Sequence, residues 1–348
     1  MAASGSVILT PRFESLHGKE SLGQRALLKI KSSGQAEPYA FYIEGFGEFE
    51  SDEARRDERR IGDGFFLQEA YLEFKIESLY VRAGKQAMRW SEMWVLPSLD
   101  IWTGRRWNRL LYDPQTEQFD HSGGVSFSWA SEGLSVDAAL LTEVARSRYP
   151  EPLPEFLDGK DEEKASGGLR LKFDLAGVGT SLVVGKANWA ETVGAGFNYA
   201  FETFVPKLEI GETTTKTVFA IPPQKQTFAT MGADIFFGEL TFQPQATFFQ
   251  VKDSFLGDTD QQQSLFYLGA TWAHDKHDLQ AQTFTNTETK DFFLNVFYGY
   301  NFKNWIQLGG FVQNYQGPAT SLFGLYEQMT GGWVYGVRIE LNGGLSAD

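Results

Sequence analysis

The sequence predicts an all-β fold: an antiparallel transmembrane β-barrel of about 16–18 strands, with long extracellular loops and one loop folded inward. Three observations predict it. Apolar and polar residues alternate over short segments along almost the whole chain, the two-residue period of strands with one oily and one polar face. The segments come in pairs joined by tight turns, and longer polar stretches separate the pairs. No run approaches the roughly 18–20 apolar residues of a membrane helix, whereas a barrel strand needs only about 9–11 residues, half of them apolar. An ordinary antiparallel sheet buries its oily face on a second layer. No such layer is in view here, so the oily face is expected to meet lipid and the polar face to line a lumen.

The pattern is clearest in residues 65–109. From Ala70 to Ile76 the apolar residues Ala70, Leu72, Phe74 and Ile76 alternate with Tyr71, Glu73 and Lys75. After Glu77-Ser78, Leu79, Val81 and Ala83 fall on one face, and Tyr80, Arg82 and Gln86 on the other. A loop rich in arginine and tryptophan follows.

No composition shift marks a linker in the 348 residues, so residues 1–348 are read as one domain. A net charge of -14 argues against nucleic acid, whose phosphates need a dense basic surface. With no cysteine, disulfides, cysteine-based zinc sites and thiol catalysis drop out together. The start, Met1-Ala2-Ala3-Ser4-Gly5-Ser6, has neither the basic nor the apolar part of a signal peptide. An exported chain is therefore expected here in its mature form.

Taken in order, Val7–Phe13 is the first strand, interrupted by Pro11. Ala26, Leu28 and Ile30 then face outward, with Arg25, Lys29 and Lys31 inward, and the returning strand turns Glu44 and Glu48 inward. Ser51–Arg60 reads as a charged, solvated loop. Residues 91–120 form the long loop expected to constrict the lumen, with Asp100, Trp102, Arg105, Arg106, Trp107 and Arg109 in it. Strands on either side of Ser131-Glu132-Gly133 follow, then a second long loop, Arg146–Lys164. Leu169, Leu171 and Phe173 alternate with Arg170, Lys172 and Asp174; Val193, Ala195, Phe197 and Tyr199 alternate with Gly194, Gly196 and Asn198. The stretch Phe204–Lys225 is the least legible. Pro244 is expected to interrupt pairing within its strand. Phe292–Phe302 and Ile306–Val312 form a clear pair, and Val334–Leu341 is read as the closing strand, with Asn342–Asp348 beyond it. Trp90, Trp129, Trp272, Tyr300, Trp305 and Trp333 lie near strand ends, where interfacial girdles form.

The run from Ala70-Tyr71-Leu72-Glu73-Phe74 to Gly84-Lys85-Gln86, with Trp90 before a Pro/Asp-containing loop, resembles a pattern in outer-membrane channel families. These include the alginate-export-like and related substrate-channel barrels. There a Gly-[Lys/Arg]-Gln leads from a strand into a loop folded into the pore. The resemblance covers roughly 40 residues. It implies that Arg82, Gln86 and the loop carrying Arg105, Arg106 and Arg109 face or narrow a channel.

Inward charge is the most informative constellation. Arg25, Lys29, Arg82, Arg170 and Lys172 share the polar face with Glu44, Glu48, Glu69 and Glu73, and opposite charges across a lumen would create a transverse field and set ion selectivity. With Gln86, Asp100, Arg105, Arg106 and Arg109, these are the expected pore-lining and constriction residues. Trp102, Trp107 and Arg109 suggest a greasy track for a sugar. Asp120-His121-Ser122 invites a hydrolase reading, but neighbours entering a strand point to opposite faces, so His121 is badly placed to activate Ser122. Neither His274 and His277 nor the acidic Asp158, Asp161, Glu162 and Glu163 form a recognisable metal motif. No catalytic residue, metal or cofactor is assigned.

The expectation is therefore a porin-like channel of the bacterial outer membrane, not an enzyme, for passive diffusion of small hydrophilic solutes or ions. Its partners would be the lipid bilayer, lipopolysaccharide and those solutes, with an oligomer left open. The alternatives are a plugged barrel serving as a surface adhesin or receptor, and a barrel-embedded hydrolase.

Overall fold

The structure, a computed structural model, describes residues 2–16, 19–50, 64–93, 95–96, 98–105, 119–145, 166–187, 189–215, 224–252, 261–303, 305–319 and 321–346. In chain order the strands are β1 (Ala2–Leu16), β2 (Lys19–Ala36), β3 (Tyr39–Glu50), β4 (Gly64–Ile76), β5 (Leu79–Gln86), β6 (Gly104–Arg105) and β7 (Phe119–Asp120). Next come β8 (Ser122–Ser131), β9 (Leu134–Glu143), β10 (Ser166–Leu175), β11 (Val178–Lys186), β12 (Ala190–Tyr199) and β13 (Phe204–Thr215). The last group is β14 (Lys225–Phe237), β15 (Leu240–Lys252), β16 (Gln261–His274), β17 (His277–Asn286), β18 (Asp291–Lys303), β19 (Ile306–Gln316) and β20 (Trp333–Ser346). A helix, α1 (Leu322–Thr330), lies between β19 and β20.

All but β6 and β7 join one antiparallel sheet of 18 strands. Each pairs with its neighbours in sequence, and β1 pairs with both β2 and β20, so the sheet closes on itself. The closing strand corrects the sequence reading. It runs past Leu341 to Ser346, and Asn342–Ser346 pair with Ala2–Ser6 across the seam. The glycines Gly343 and Gly344 weaken the side-chain pattern there without removing the backbone groups that pair. Tight turns such as Glu77-Ser78, Ala176-Gly177 and Gly238-Glu239 sit at the end where the first and last strands meet; the longer connections sit at the other.

Alternation sets which face is which. Leu72, Leu140, Val184 and Val193 are more than half exposed on the outside, as a wall facing hydrocarbon requires. The register shifts once where β3 meets β4, between Glu44 and Gly45. This bulge turns Gln68 and Glu69 to the same side, so Phe65 and Leu67 emerge outside although their parity differs from that of Leu72. Opposite Pro244 the β14–β15 ladder has a gap at Ala233-Asp234 without loss of register, as proline's missing N–H demands. The least legible stretch holds β13, paired on both sides. Trp129, Trp305 and Trp333 are outward and exposed near strand ends, whereas Trp90 is buried in the interior.

α1 was not foreseen. Ser321 caps it, its hydroxyl accepting from Gly324 N at 3.1 Å, and Gly331 ends it at φ 70. Its apolar face, Phe323 and Tyr326, packs inside the barrel on Phe293, Tyr315 and Val334.

Candidate functional site

The chain turns inward at Gly84-Lys85-Gln86. Gly84 adopts φ 134, where a side chain would run into the backbone of Ala70 and Tyr71. Lys85 pairs with Asp120 at 3.2 Å. Gln86 accepts from Ser126 Oγ at 2.7 Å, and Ala87 N donates to Glu69 Oε1 at 2.9 Å. His121 Nδ1 lies 3.1 Å from Glu69 Oε1. Glu69 and the neighbouring Gln68 thus hold both feet of the loop, where it leaves β5 and where it returns to β8.

From Ala87 to Thr103 the described loop lies inside the barrel, against β9 to β16. Met88, Trp90, Leu99, Ile101 and Trp102 form one buried cluster with Ala139, Leu141, Val183, Ala187 and Phe228 of the wall. Farther along, Val95 and Leu96 pack on Tyr267. Wall glycines make room for the loop. A Cβ at Gly168 would come within 2.6 Å of the Trp102 ring, and the three atoms nearest a Cβ at Gly185 all belong to that ring. Leu99 lies over Gly194, Glu92 over Gly196 and Met93 over Gly232. Trp90 meets Trp102 edge to face, centroids 4.5 Å apart.

Polar groups complete the docking, because backbone buried away from water needs partners. Glu209 accepts from Ser91 Oγ at 2.7 Å and Glu92 N at 2.5 Å. Gln245 Oε1 accepts from Val95 N and Leu96 N at 3.3 and 3.0 Å. Arg170 donates to the carbonyls of Arg89 and Trp90, and Lys172 pairs with Glu92 at 3.0 Å. Asp100 Oδ1 accepts from Trp102 N and Thr103 N, both at 3.1 Å. Desolvation nevertheless pushes its carboxyl up to about 6.

The sequence-predicted site residues fall into three groups. Lys29, Glu44, Glu73 and Arg82 lie on the inner face of β2 to β5, the wall opposite the loop, as pairs: Lys29 with Glu44 at 2.9 Å and Arg82 with Glu73 at 2.6 Å. Beside them Tyr42 and Tyr71 stack, with Arg82 over Tyr71. Glu69, Gln86, Asp100, Arg170 and Lys172 are engaged in holding the loop. Gln86 is only 2% exposed and cannot line an open channel, which corrects the expectation for it. For Arg25, Glu48 and Arg105 the backbone is described, in β2, β3 and β6, but not the side chain; Arg106, Trp107 and Arg109 lie outside the described residues, as do all of Ser51–Arg60 and all of Arg146–Lys164.

Two further expectations change. Trp102 is fully buried with its ring on the glycine bed, so it offers no face to a sugar. Among the described residues, the opposite charges within ion-pair distance are neighbours on the wall or on the docked loop. On the wall they lie side by side, as in Arg170–Asp137 at 2.8 Å, Lys207–Asp234 at 2.5 Å and Arg338–Glu340 at 2.6 Å. Cross-strand neighbours are about 5 Å apart, so charges there neutralise each other before any partner across a wide lumen is felt. Ser122 is committed to the backbone: its hydroxyl donates to Trp102 O at 2.5 Å and accepts from Ala145 N at 2.9 Å.

No family model and no curated protein matches the sequence. Solved structures do match along nearly the whole chain. OccAB4 of Acinetobacter baumannii superposes with a TM-score of 0.58 at 10% identity, covering 99% of this chain and 98% of that one. OpdK, an outer membrane protein of Pseudomonas aeruginosa, gives 0.57 at 10% identity and 99% of both chains. An anion-selective porin from Comamonas acidovorans gives 0.51 at 13% identity, again with 99% of both. The chain therefore has the fold of the outer-membrane porin barrels.

Proposed function

We infer that the chain is a porin-like channel of the bacterial outer membrane, through which small hydrophilic solutes or ions diffuse passively. One observation carries the reading: a closed 18-stranded barrel, apolar outside and polar inside, has a loop docked on only part of its inner wall. Side chains cannot fill a barrel of this strand number, so water occupies what the loop leaves free. The loop from Ala87 onward, with α1, narrows the passage, and Lys29, Glu44, Glu73 and Arg82 line its open side. The fold supports this reading, and so do the neighbours' own descriptions, one of them an anion-selective porin. The surroundings would be the lipid bilayer with its lipopolysaccharide. With Ser122 tied to backbone groups and His121 on Glu69, the chemistry of the site is passage and not hydrolysis.

The test is conductance of the purified, detergent-extracted protein in a planar lipid bilayer with unequal salt on the two sides. Stepwise ohmic openings are the expected result, and the reversal potential reports which wall charges prevail. A folded but silent barrel would overturn the reading in favour of a plugged barrel that works through its loops.

A further inference from the structure

The inner wall not covered by the loop carries a second kind of surface. At one level of the register Gln243 faces Gly269, Gly269 faces Gln282, Gln282 faces Asn295, and Asn295 faces Gln313. These positions share the inner face, opposite in parity to the outward Phe242, Leu268, Leu279 and Leu308 of the same strands. At the glycine, the Tyr267 ring lies over the backbone, with its hydroxyl the atom nearest to where a Cβ would stand. Gln243, Gln282 and Asn295 of β15, β17 and β18 are the part-exposed carboxamides of this row, while Gln313, 5% exposed and accepting from Tyr315 Oη at 3.3 Å, and the buried Tyr267 back it from the wall.

The level is set by the two inserted elements. The next row toward the long loops runs Gln245, Tyr267, Phe284, Phe293 and Tyr315. Gln245 and Tyr267 hold Val95 and Leu96 of the loop, while Phe284, Phe293 and Tyr315 hold α1. The amide row is thus the first wall surface a solute meets below the constriction.

We propose that this row is a binding subsite for neutral, polyhydroxylated solutes of the carbohydrate class. A carboxamide both donates and accepts, as a hydroxyl does, and carries no charge. Neighbouring strands lie about 4.8 Å apart, so Gln282 and Asn295 present donors and acceptors at about the spacing of a sugar ring, with Gln243 two strands away across Gly269. Among the described residues the charge at the end of the row is compensated, Asp234 being bonded by Gln243 at 3.2 Å and paired with Lys207, and the nearest carboxylate on β17, Asp278, lies two rows lower and accepts from Gln280 at 3.1 Å. Arg338, a little lower, pairs with Glu340 and lies over Phe297.

The inference rests on the channel reading, and the experiment separates the two. Single-channel current is recorded in the planar bilayer while an uncharged linear maltooligosaccharide is added, then an organic carboxylate, then a basic amino acid. The channel reading fails if there is no conductance. The subsite fails if conducting channels are blocked equally by all three, or more strongly by either charged solute. The expected result is concentration-dependent block by the sugar alone, weakened about tenfold in Gln282→Leu/Asn295→Leu as hydrogen bonds are lost. An unchanged sugar affinity in that variant would also overturn the assignment. If the variant does not insert, the order of the three solutes on the unaltered protein still decides.

Discussion

Gly185→Ala tests whether the loop is a fixed constriction or a movable lid. The added methyl has the Trp102 ring as its only near neighbour among the three closest atoms, overlapping Cζ2 and Cη2 and standing 3.4 Å from Cε2. Carbon atoms pack at about 3.5–4.0 Å, so the ring must retreat by about 1 Å or more. Trp102 is fully buried and wedged against Trp90, and the wall behind it is a hydrogen-bonded sheet, so neither partner yields freely. Overpacking of this kind costs about 1–3 kcal/mol. Trp102→Ala removes the wedge outright at about 3–5 kcal/mol. Either change should partly release the loop, seen as larger and noisier single-channel conductance in the bilayer. The double variant is decisive: with the ring gone, Gly185→Ala has nothing to strike and should add almost no further effect. The reasoning is refuted if Gly185→Ala conducts like the unaltered protein, or if its effect is the same with and without Trp102.

Other outcomes follow from the same geometry. Gln245→Leu strands the N–H groups of Val95 and Leu96, a loss of about 1–3 kcal/mol that should appear as rapid flicker of the open current. Glu73→Gln frees Arg82 from its 2.6 Å pair and should move the reversal potential in a salt gradient toward anions, while Arg82→Gln should move it toward cations; shifts of the same sign would sink the assignment. Asp100 has a pKa raised by desolvation from 3.8 to about 6, so the docked loop favours its protonated form. That contribution is complete below about pH 4, is lost as pH rises through about 6, and amounts to at most about 3 kcal/mol. Loop noise should therefore grow between pH 4 and pH 7, and Asp100→Asn should abolish the change.

The barrel was legible because its signal is repetitive. A two-residue period recurs wherever one strand face meets lipid, so Leu28, Leu72, Leu140 and Val193 announced their orientation by spacing alone. Legibility failed where the period broke. The bulge at Gln68-Glu69 shifts the parity of Phe65 and Leu67, Pro206 and the threonine run Thr213-Thr214-Thr215 blur β13, and glycines mask the end of β20. The site was less legible still, since a loop has no period to say where a side chain points. Trp90 and Trp102 looked like girdle and track and proved to be anchors. The available signal lay elsewhere, in inward-facing glycines of the wall, Gly168, Gly185, Gly194, Gly196 and Gly232, all but Gly168 flanked on both sides by larger outward neighbours. For α1 the signal was Ser321 as a cap, Phe323 and Tyr326 three apart, and Gly331-Gly332 as a stop.

The seam between β1 and β20 carries a kinetic consequence. Every other ladder of the barrel joins successive strands of the sheet, most of them across short connections and β5 to β8 across the inward loop, so each links segments far closer in sequence than the two ends of the chain. The seam alone joins residues from opposite ends of the chain, Ala2 with Ser346 and Phe13 with Tyr335. Its closure bears the largest loop entropy in the molecule and is expected to come last. Until then the growing sheet has two bare edges, the state in which strands pair with foreign chains. Whatever brings these two strands together, a lipid surface or an assembly catalyst, governs how long the immature protein is exposed to aggregation.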